Sequence, residues 1–167
     1  MRRKKKIILD FGCGAGPLSF IIEKNKNPII VYSYDINNNY ISTAIDANKQ
    51  NNTINFSTNL ISEINLIQVV IIADVLHHIL PFNNKKDVLN KIFNLNPEVV
   101  IIKDLNPNNI ISCYFNNFTD YISTKSKVEY ISVESIKNII PDNYRIIQTK
   151  HKSFFLWSNY IIKICKK

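Results

Sequence analysis

The sequence predicts an α/β fold, a doubly wound and mostly parallel sheet. Three observations carry that expectation. Short apolar runs rich in Ile and Val, at 7–9, 29–34, 67–73 and 99–102, alternate with stretches of helical periodicity. The only three glycines of the chain, Gly12, Gly14 and Gly16, fall within five residues, between the first apolar run and the first helical stretch. Two strand-like runs, about Tyr144–Thr149 and Phe155–Ile164, close the chain as a pair.

The elements follow in order. Ile7, Ile8 and Leu9 form a run suited to a strand covered on both faces. Pro17 fits the first position of a helix, where its missing N–H costs nothing, and Leu18, Ile21 and Ile22 then recur at helical spacing. That helix is predicted from about Gly16 to Lys24, ending before Pro28. The second strand is Ile29–Tyr34, followed by Asp35. A helix over roughly Asn38–Gln50 places Tyr40, Ile41, Ala44 and Ile45 on one face. Ile54–Ser57 is a weaker third strand, and Ile67–Ala73 a buried central fourth.

Asp74 then leads into Val75-Leu76-His77-His78-Ile79-Leu80, a short helix closed by Pro81. Val88, Leu89, Ile92 and Phe93 mark another amphipathic helix, and Val99–Ile102 a fifth strand ending at Lys103-Asp104. Asn106-Pro107 has the form of an N-cap followed by proline at N1. Ile110, Ile111, Tyr114, Phe115, Phe118, Tyr121 and Ile122 follow at helical spacing, as core or as a substrate-facing cover. Ser132 is read as the cap of a helix through Ile140, stopped by Pro141.

Composition narrows the function classes. A chain of 167 residues with 46% hydrophobic content suits one globular domain, 1–167, with a sizeable core. The formal net charge is +8, part of it in Arg2-Arg3-Lys4-Lys5-Lys6 and in Lys163, Lys166 and Lys167. A basic balance fits nucleic acid or an anionic membrane surface; solvated basic ends are the preferred reading. Three cysteines without metal-ligand spacing imply reduced thiols, a cytoplasmic setting and no metal. The apolar run after the basic start breaks at Asp10 and the glycines, unlike a signal peptide, and no apolar stretch is long enough to span a membrane.

The glycine loop carries the first chemical inference. Glycine tolerates positive φ and lets a ligand approach the bare backbone. Dinucleotide binders use G-x-G-x-x-G, whose helix start holds a pyrophosphate. Here the spacing is G-x-G-x-G, with Asp10 two residues before the first glycine. An acid beside the loop favours a cationic ligand and repels a pyrophosphate. The pattern Asp10-x-Gly12-x-Gly14-x-Gly16 resembles motif I of the class I S-adenosyl-L-methionine (SAM) dependent methyltransferases.

That resemblance implies a Rossmann-like seven-stranded sheet of order 3-2-1-4-5-7-6, with the last-formed strand antiparallel. Ligands in such sheets bind at strand carboxyl ends where the order reverses. It implies that Asp10, Gly12, Gly14 and Gly16 cradle the methionine end of SAM. Asp35, roughly 20 residues after the loop, is placed to accept the ribose hydroxyls. Ile36 would pack on the adenine face, Asn59 would meet its amino group, and Asp74 would border the methionine end. Ala73-Asp74-Val75-Leu76-His77-His78 resembles the superfamily that includes the ubiquinone/menaquinone biosynthesis methyltransferases. It differs in carrying Gln68 where an acid often opens the strand.

A histidine can act as general base on an acceptor hydroxyl or amine. His78 is the first choice and His77 the second, since adjacent helical residues point about 100° apart and cannot both face one atom. The acceptor is read as a small molecule or lipid intermediate. The main rival is an RNA ribose 2′-O-methyltransferase, because Asp74 and Lys103 match two places of the Lys-Asp-Lys-Glu set of those enzymes. Ser158-Asn159-Tyr160 supplies no acid at the last place. A non-catalytic SAM-binding module is the third reading. Relatives carry helices before the first strand, so the site is expected to be open, or closed by a partner, a dimer or the helix around 107–122.

Overall fold

The computed structural model describes residues 5–24, 29–49, 53–60, 67–124, 127–154 and 157–167. Arg2, Arg3, Lys4, Pro28, Gln50 and Phe155, each used in the sequence reading, lie outside the described residues.

The chain divides into two compact units, Met1–Ile71 with Leu95–Glu98, and Ile72–Asn94 with Val99–Lys167. The first carries β1 (Lys6–Phe11), α1 (Pro17–Glu23), β2 (Ile29–Tyr34), α2 (Asn38–Ala47), β3 (Ile54–Ser57) and the start of β4 (Val69–Ala73). The second carries the end of β4, a single 3-10 turn at Leu76–His78, α3 (Phe82–Asn94), β5 (Val99–Leu105), α4 (Ile110–Thr124), α5 (Val133–Lys137), β6 (Tyr144–Phe154) and β7 (Trp157–Lys166). The strand order is β3-β2-β1-β4-β5-β7-β6, as the resemblance implied. β1, β2 and β3 pair in parallel, and β7 runs antiparallel to both β5 and β6.

In the first unit, Ile8, Ile22, Val31 and Ile54 form the buried cluster, with Leu18, Phe20, Ile29, Phe56, Val69 and Ile71 against it. β2 and β3 have the predicted bounds. β4 starts two residues later than predicted. Gln68 instead closes the start of the strand: its Oε1 accepts from Ile7 N–H (2.6 Å), and its own N–H donates to Ile7 O (3.0 Å). α2 buries Ile41 and Ala44, whereas Tyr40 and Ile45 remain exposed at the margins of the stripe. Asn37 caps that helix by accepting from Asn39 N–H.

In the second unit, β5 runs to Leu105, three residues beyond Ile102, because β7 pairs with it to the end. The cap of α4 is Asn109, which accepts from Ser112 N–H (2.9 Å). Asn106, the predicted cap, instead closes a turn by accepting from Asn108 N–H, and its own N–H is spent on Ser158 O. Ser132 caps α5 as predicted, but the helix ends at Lys137. β6 extends past Thr149 to Phe154, with a bulge between Ile146 and Gln148.

The larger correction concerns the side α4 turns inward. Ser112 and Asn116 are buried, while Ile110, Ile111, Tyr114, Phe118, Tyr121 and Ile122 are each 63–74% exposed. A core role for the aromatic face is excluded. Ser112 Oγ accepts from Ser158 N–H (2.8 Å), and Asn116 Nδ2 donates to Ser112 O (2.7 Å), so the inward side is satisfied by hydrogen bonds.

Candidate active site

In the first unit, the loop after β1 is held against the end of β2. Gly12 and Cys13 N–H both donate to Tyr34 O (2.7 and 2.9 Å). All three glycines have positive φ, at 73°, 55° and 85°. A Cβ at Gly16 would stand 2.7 Å from the Phe56 ring, so close packing demands glycine there. A Cβ at Gly14 would meet nothing within 4 Å, so the space beside that part of the loop is open. Asp35 bridges the glycine loop and the cap of α2: Oδ2 accepts from Gly14 N–H (2.8 Å) and Oδ1 from Asn37 N–H (2.9 Å). Two oxygens offer about four acceptor positions, so capacity remains for hydroxyls.

Ile36 is 85% exposed beside it, an apolar side chain held in the open. Asn59 is exposed after β3, its N–H donating to Ser57 Oγ, at the rim of a hollow also lined by Tyr32, Tyr34 and Asn55. Asp10 lies beneath the loop rather than facing out of it. It is 2% exposed and accepts from Ser19 Oγ (2.5 Å), which also meets Ser33 Oγ (2.8 Å). Burial pushes its carboxyl above the usual range; the Ser19 bond opposes the shift and the Asp35 charge adds to it. Burial, with Asp10 and Asp35 nearby, raises the Cys13 thiol to about 12, so it is no nucleophile.

In the second unit, Asp74 follows β4 with φ 58°, its N–H donating to Lys103 O and its carboxylate paired with Lys103 Nζ. The two residues of the RNA-type resemblance are therefore together. The 3-10 turn then presents the histidines. His77 is buried, and its Nδ1 lies 2.5 Å from Asp104 Oδ1, while its backbone N–H donates to Asp104 Oδ2 (3.2 Å). Nε2 stands 3.9 Å from Asp120 Oδ2.

His78 is exposed, yet its ring centroid lies only 4.0 Å from that of His77. The two rings are thus neighbours, although their backbone directions diverge. Partial burial, and secondarily the His77 neighbour, lower the His78 pKa; Asp120, Asp104 and Asp74 offset part of this. A lowered pKa leaves His78 neutral at pH 7, the form a base requires.

Sequence reasoning missed three members of this group. Asp104 and Asp120 lie 27 and 43 positions from His77, too far for local spacing to reveal. Lys85 is fully buried in α3, donates to Ile79 O, and lies 3.3 Å from Glu129 Oε2, bracing the end of the turn. Glu129 N–H in turn donates to His77 O (2.9 Å). The one signal available was Asp104 at the end of an apolar strand. Donor atoms of His77, His78 and Asp120 lie within 4.8 Å of one another. The group could therefore also hold a metal ion.

The strand order, the positive-φ glycine loop and the acid ending β2 define a Rossmann-like fold of the methyltransferase type. The methyltransferase-domain family matches residues 2–139, and the chain belongs to that family. Its members are enzymes that use S-adenosylmethionine, and the loop, Asp35 and exposed Ile36 fit that ligand. Among solved structures, magnesium protoporphyrin IX methyltransferase of Synechocystis PCC 6803, bound to S-adenosylhomocysteine, is similar at TM-score 0.76 and 18% identity, over 98% of this chain and 75% of that one. The N-methyltransferase NodS of Bradyrhizobium japonicum WM9 is similar at TM-score 0.70 and 11% identity, over 96% and 78%. The [4+2]-cyclase SpnF is similar too, at TM-score 0.73 and 9% identity, over 99% and 76%. Likeness at such identities establishes the fold. No curated protein sequence matches the chain. Among the described residues, no helix is long and apolar enough to cross a membrane.

Proposed function

We propose that this methyltransferase acts on a small-molecule or lipid-intermediate acceptor with an apolar body. The observation that carries the reading is α4. One helix exposes six large apolar residues and also delivers Asp120 to the His77–His78 pair. The titratable pair thus stands beside an element whose outer surface suits an apolar molecule.

S-adenosylmethionine, when bound, supplies an electrophilic methyl group on a sulfonium. In the proposed arrangement Gly12, Gly14 and Gly16 admit its methionine end to the backbone, with Asp10 bracing the loop from below through Ser19. Asp35 accepts the ribose hydroxyls, Ile36 and Asn59 flank the adenine, and Asp74 borders the methionine end. His78, neutral at pH 7, accepts the proton that the acceptor hydroxyl or amine loses. His77, tied to Asp104, positions it. Alignment of acceptor and methyl group supplies much of the acceleration. A cytoplasmic setting belongs to the proposal; three free cysteines support it.

The Asp74–Lys103 pair supports ribose 2′-O transfer to RNA as the second reading. One experiment separates the readings: incubation with methyl-labelled SAM and a fractionated cell extract. Label in the small-molecule or organic-soluble fraction is expected. Label on ribose, with RNA affinity that falls steeply with salt, would replace the proposal by the second reading. Tight S-adenosylhomocysteine binding without transfer to any fraction would leave a binding module.

A further inference from the structure

We propose that the outer face of α4 and the paired ends of β6 and β7 at Phe154 and Trp157 form one docking surface for an anionic lipid bilayer. On α4, positions 110, 114, 118 and 121, flanked by 111 and 122, fall on one side of the helix, and all six side chains stand in the open. A contiguous exposed apolar face of this kind marks an interaction site. The polar residues that usually face water, Ser112 and Asn116, are bonded inward, so the helix is fixed in this orientation.

The surface continues onto β6 and β7. Phe115 of α4 meets Trp157 edge-on, with ring centroids 5.5 Å apart. Trp157 pairs with Phe154, which is 82% exposed. Directly paired residues share a sheet face, and side chains alternate with period two. Exposed Lys152 and Lys150 therefore lie on the same face as Phe154 and Trp157, and Lys163, paired with Gln148, continues the row. Lys127 is exposed beyond the end of α4. α4 holds no lysine or arginine, and its one acid, Asp120, is directed at His77.

The surface is thus apolar and aromatic at the centre and cationic alongside, on a chain of net charge +8. Tyr and Trp with neighbouring lysines suit the boundary of an anionic membrane. A second copy meeting this face by two-fold symmetry would bring the same positive charges against it, which disfavours self-association.

The test measures binding alone, without SAM or acceptor, so it stands or falls separately from the proposed reaction. Purified protein is sedimented with vesicles of phosphatidylcholine, or of phosphatidylcholine mixed with phosphatidylglycerol. The expected result is co-sedimentation with the anionic vesicles, about tenfold weaker for Lys150→Glu/Lys152→Glu and reduced by salt. Phe118→Ser/Tyr121→Ser should lose binding while circular dichroism and the melting midpoint stay unchanged. Absent co-sedimentation, or equal binding by the wild type and the folded Phe118→Ser/Tyr121→Ser variant, would overturn the proposal. So would a concentration-dependent dimer in light scattering that the same variant abolishes, since the face would then join two copies.

Discussion

α3 and α4 are both amphipathic helices of the second unit, thirteen and fifteen residues long, and they face opposite ways. α3 turns Leu89, Ile92 and Phe93 inward and leaves Asn83, Asn84, Lys86 and Asp87 in water. α4 turns Ser112 and Asn116 inward, each hydrogen-bonded, and leaves its isoleucines and every aromatic but Phe115 outside. Apolar burial is the usual reason a helix stays on its sheet. α4 is held instead by polar contacts with the start of β7 and by the Phe115–Trp157 contact. Helical periodicity thus reports two unlike faces without reporting which one is buried. Where the apolar face is left outside, its residues are free to serve recognition rather than stability.

Mutations should separate the two helices by size of effect. Leu89→Ala in α3 should cost about 2–5 kcal/mol of stability, the range for emptying a close-packed site, read by denaturant unfolding. Between the helices, His78→Ala should lower turnover on an identified acceptor by about a hundredfold with little change in SAM affinity. The pH profile sharpens this. Because the His78 pKa is lowered, the acid limb of the wild-type rate should lie at a lower pH than an ordinary histidine gives. The acid limb should vanish in the variant; an unchanged limb would assign it to another group.

Lys85→Met should cost about 1.5–3 kcal/mol by leaving Ile79 O and Glu129 without their buried donor. It should also slow turnover by loosening the turn that carries both histidines. Phe118→Ser in α4 should change stability by no more than about 0.5 kcal/mol, as an exposed substitution does. A loss of 2 kcal/mol or more there would show that the face is covered, and the contrast between the helices would fail.

Legibility in the sequence follows the range of the forces involved. β2 and β3 were readable to the residue because strand period and flanking turn residues are local signals. The glycine loop was readable because the conformation belongs to glycine itself, and all three glycines do adopt positive φ. The extension of β5 to Leu105 was hidden, because Lys103-Asp104 looks like a strand end until β7 pairs with it. The cap of α4 was misplaced by three residues, since Asn106 and Asn109 offer the same chemistry and only Ser158 decides between them. At the site, Leu76-His77-His78 could be found by motif, whereas Asp104, Asp120 and Lys85 reach it through tertiary folding. Lys85 in particular sits in a stretch, Asn83-Asn84-Lys85-Lys86-Asp87, that reads as a solvated surface.

We propose that the glycine loop and Asp35 hold the methionine and ribose ends of the cofactor. Calorimetric titration of the wild type and of Asp35→Ala with S-adenosylhomocysteine, and with NAD as control, tests this most directly. The wild type should bind S-adenosylhomocysteine and not NAD, and Asp35→Ala should bind it more weakly by about 1–3 kcal/mol, the loss of charged hydrogen bonds to the ribose. Binding of NAD alone, or equal affinity of both proteins for S-adenosylhomocysteine, would contradict the account.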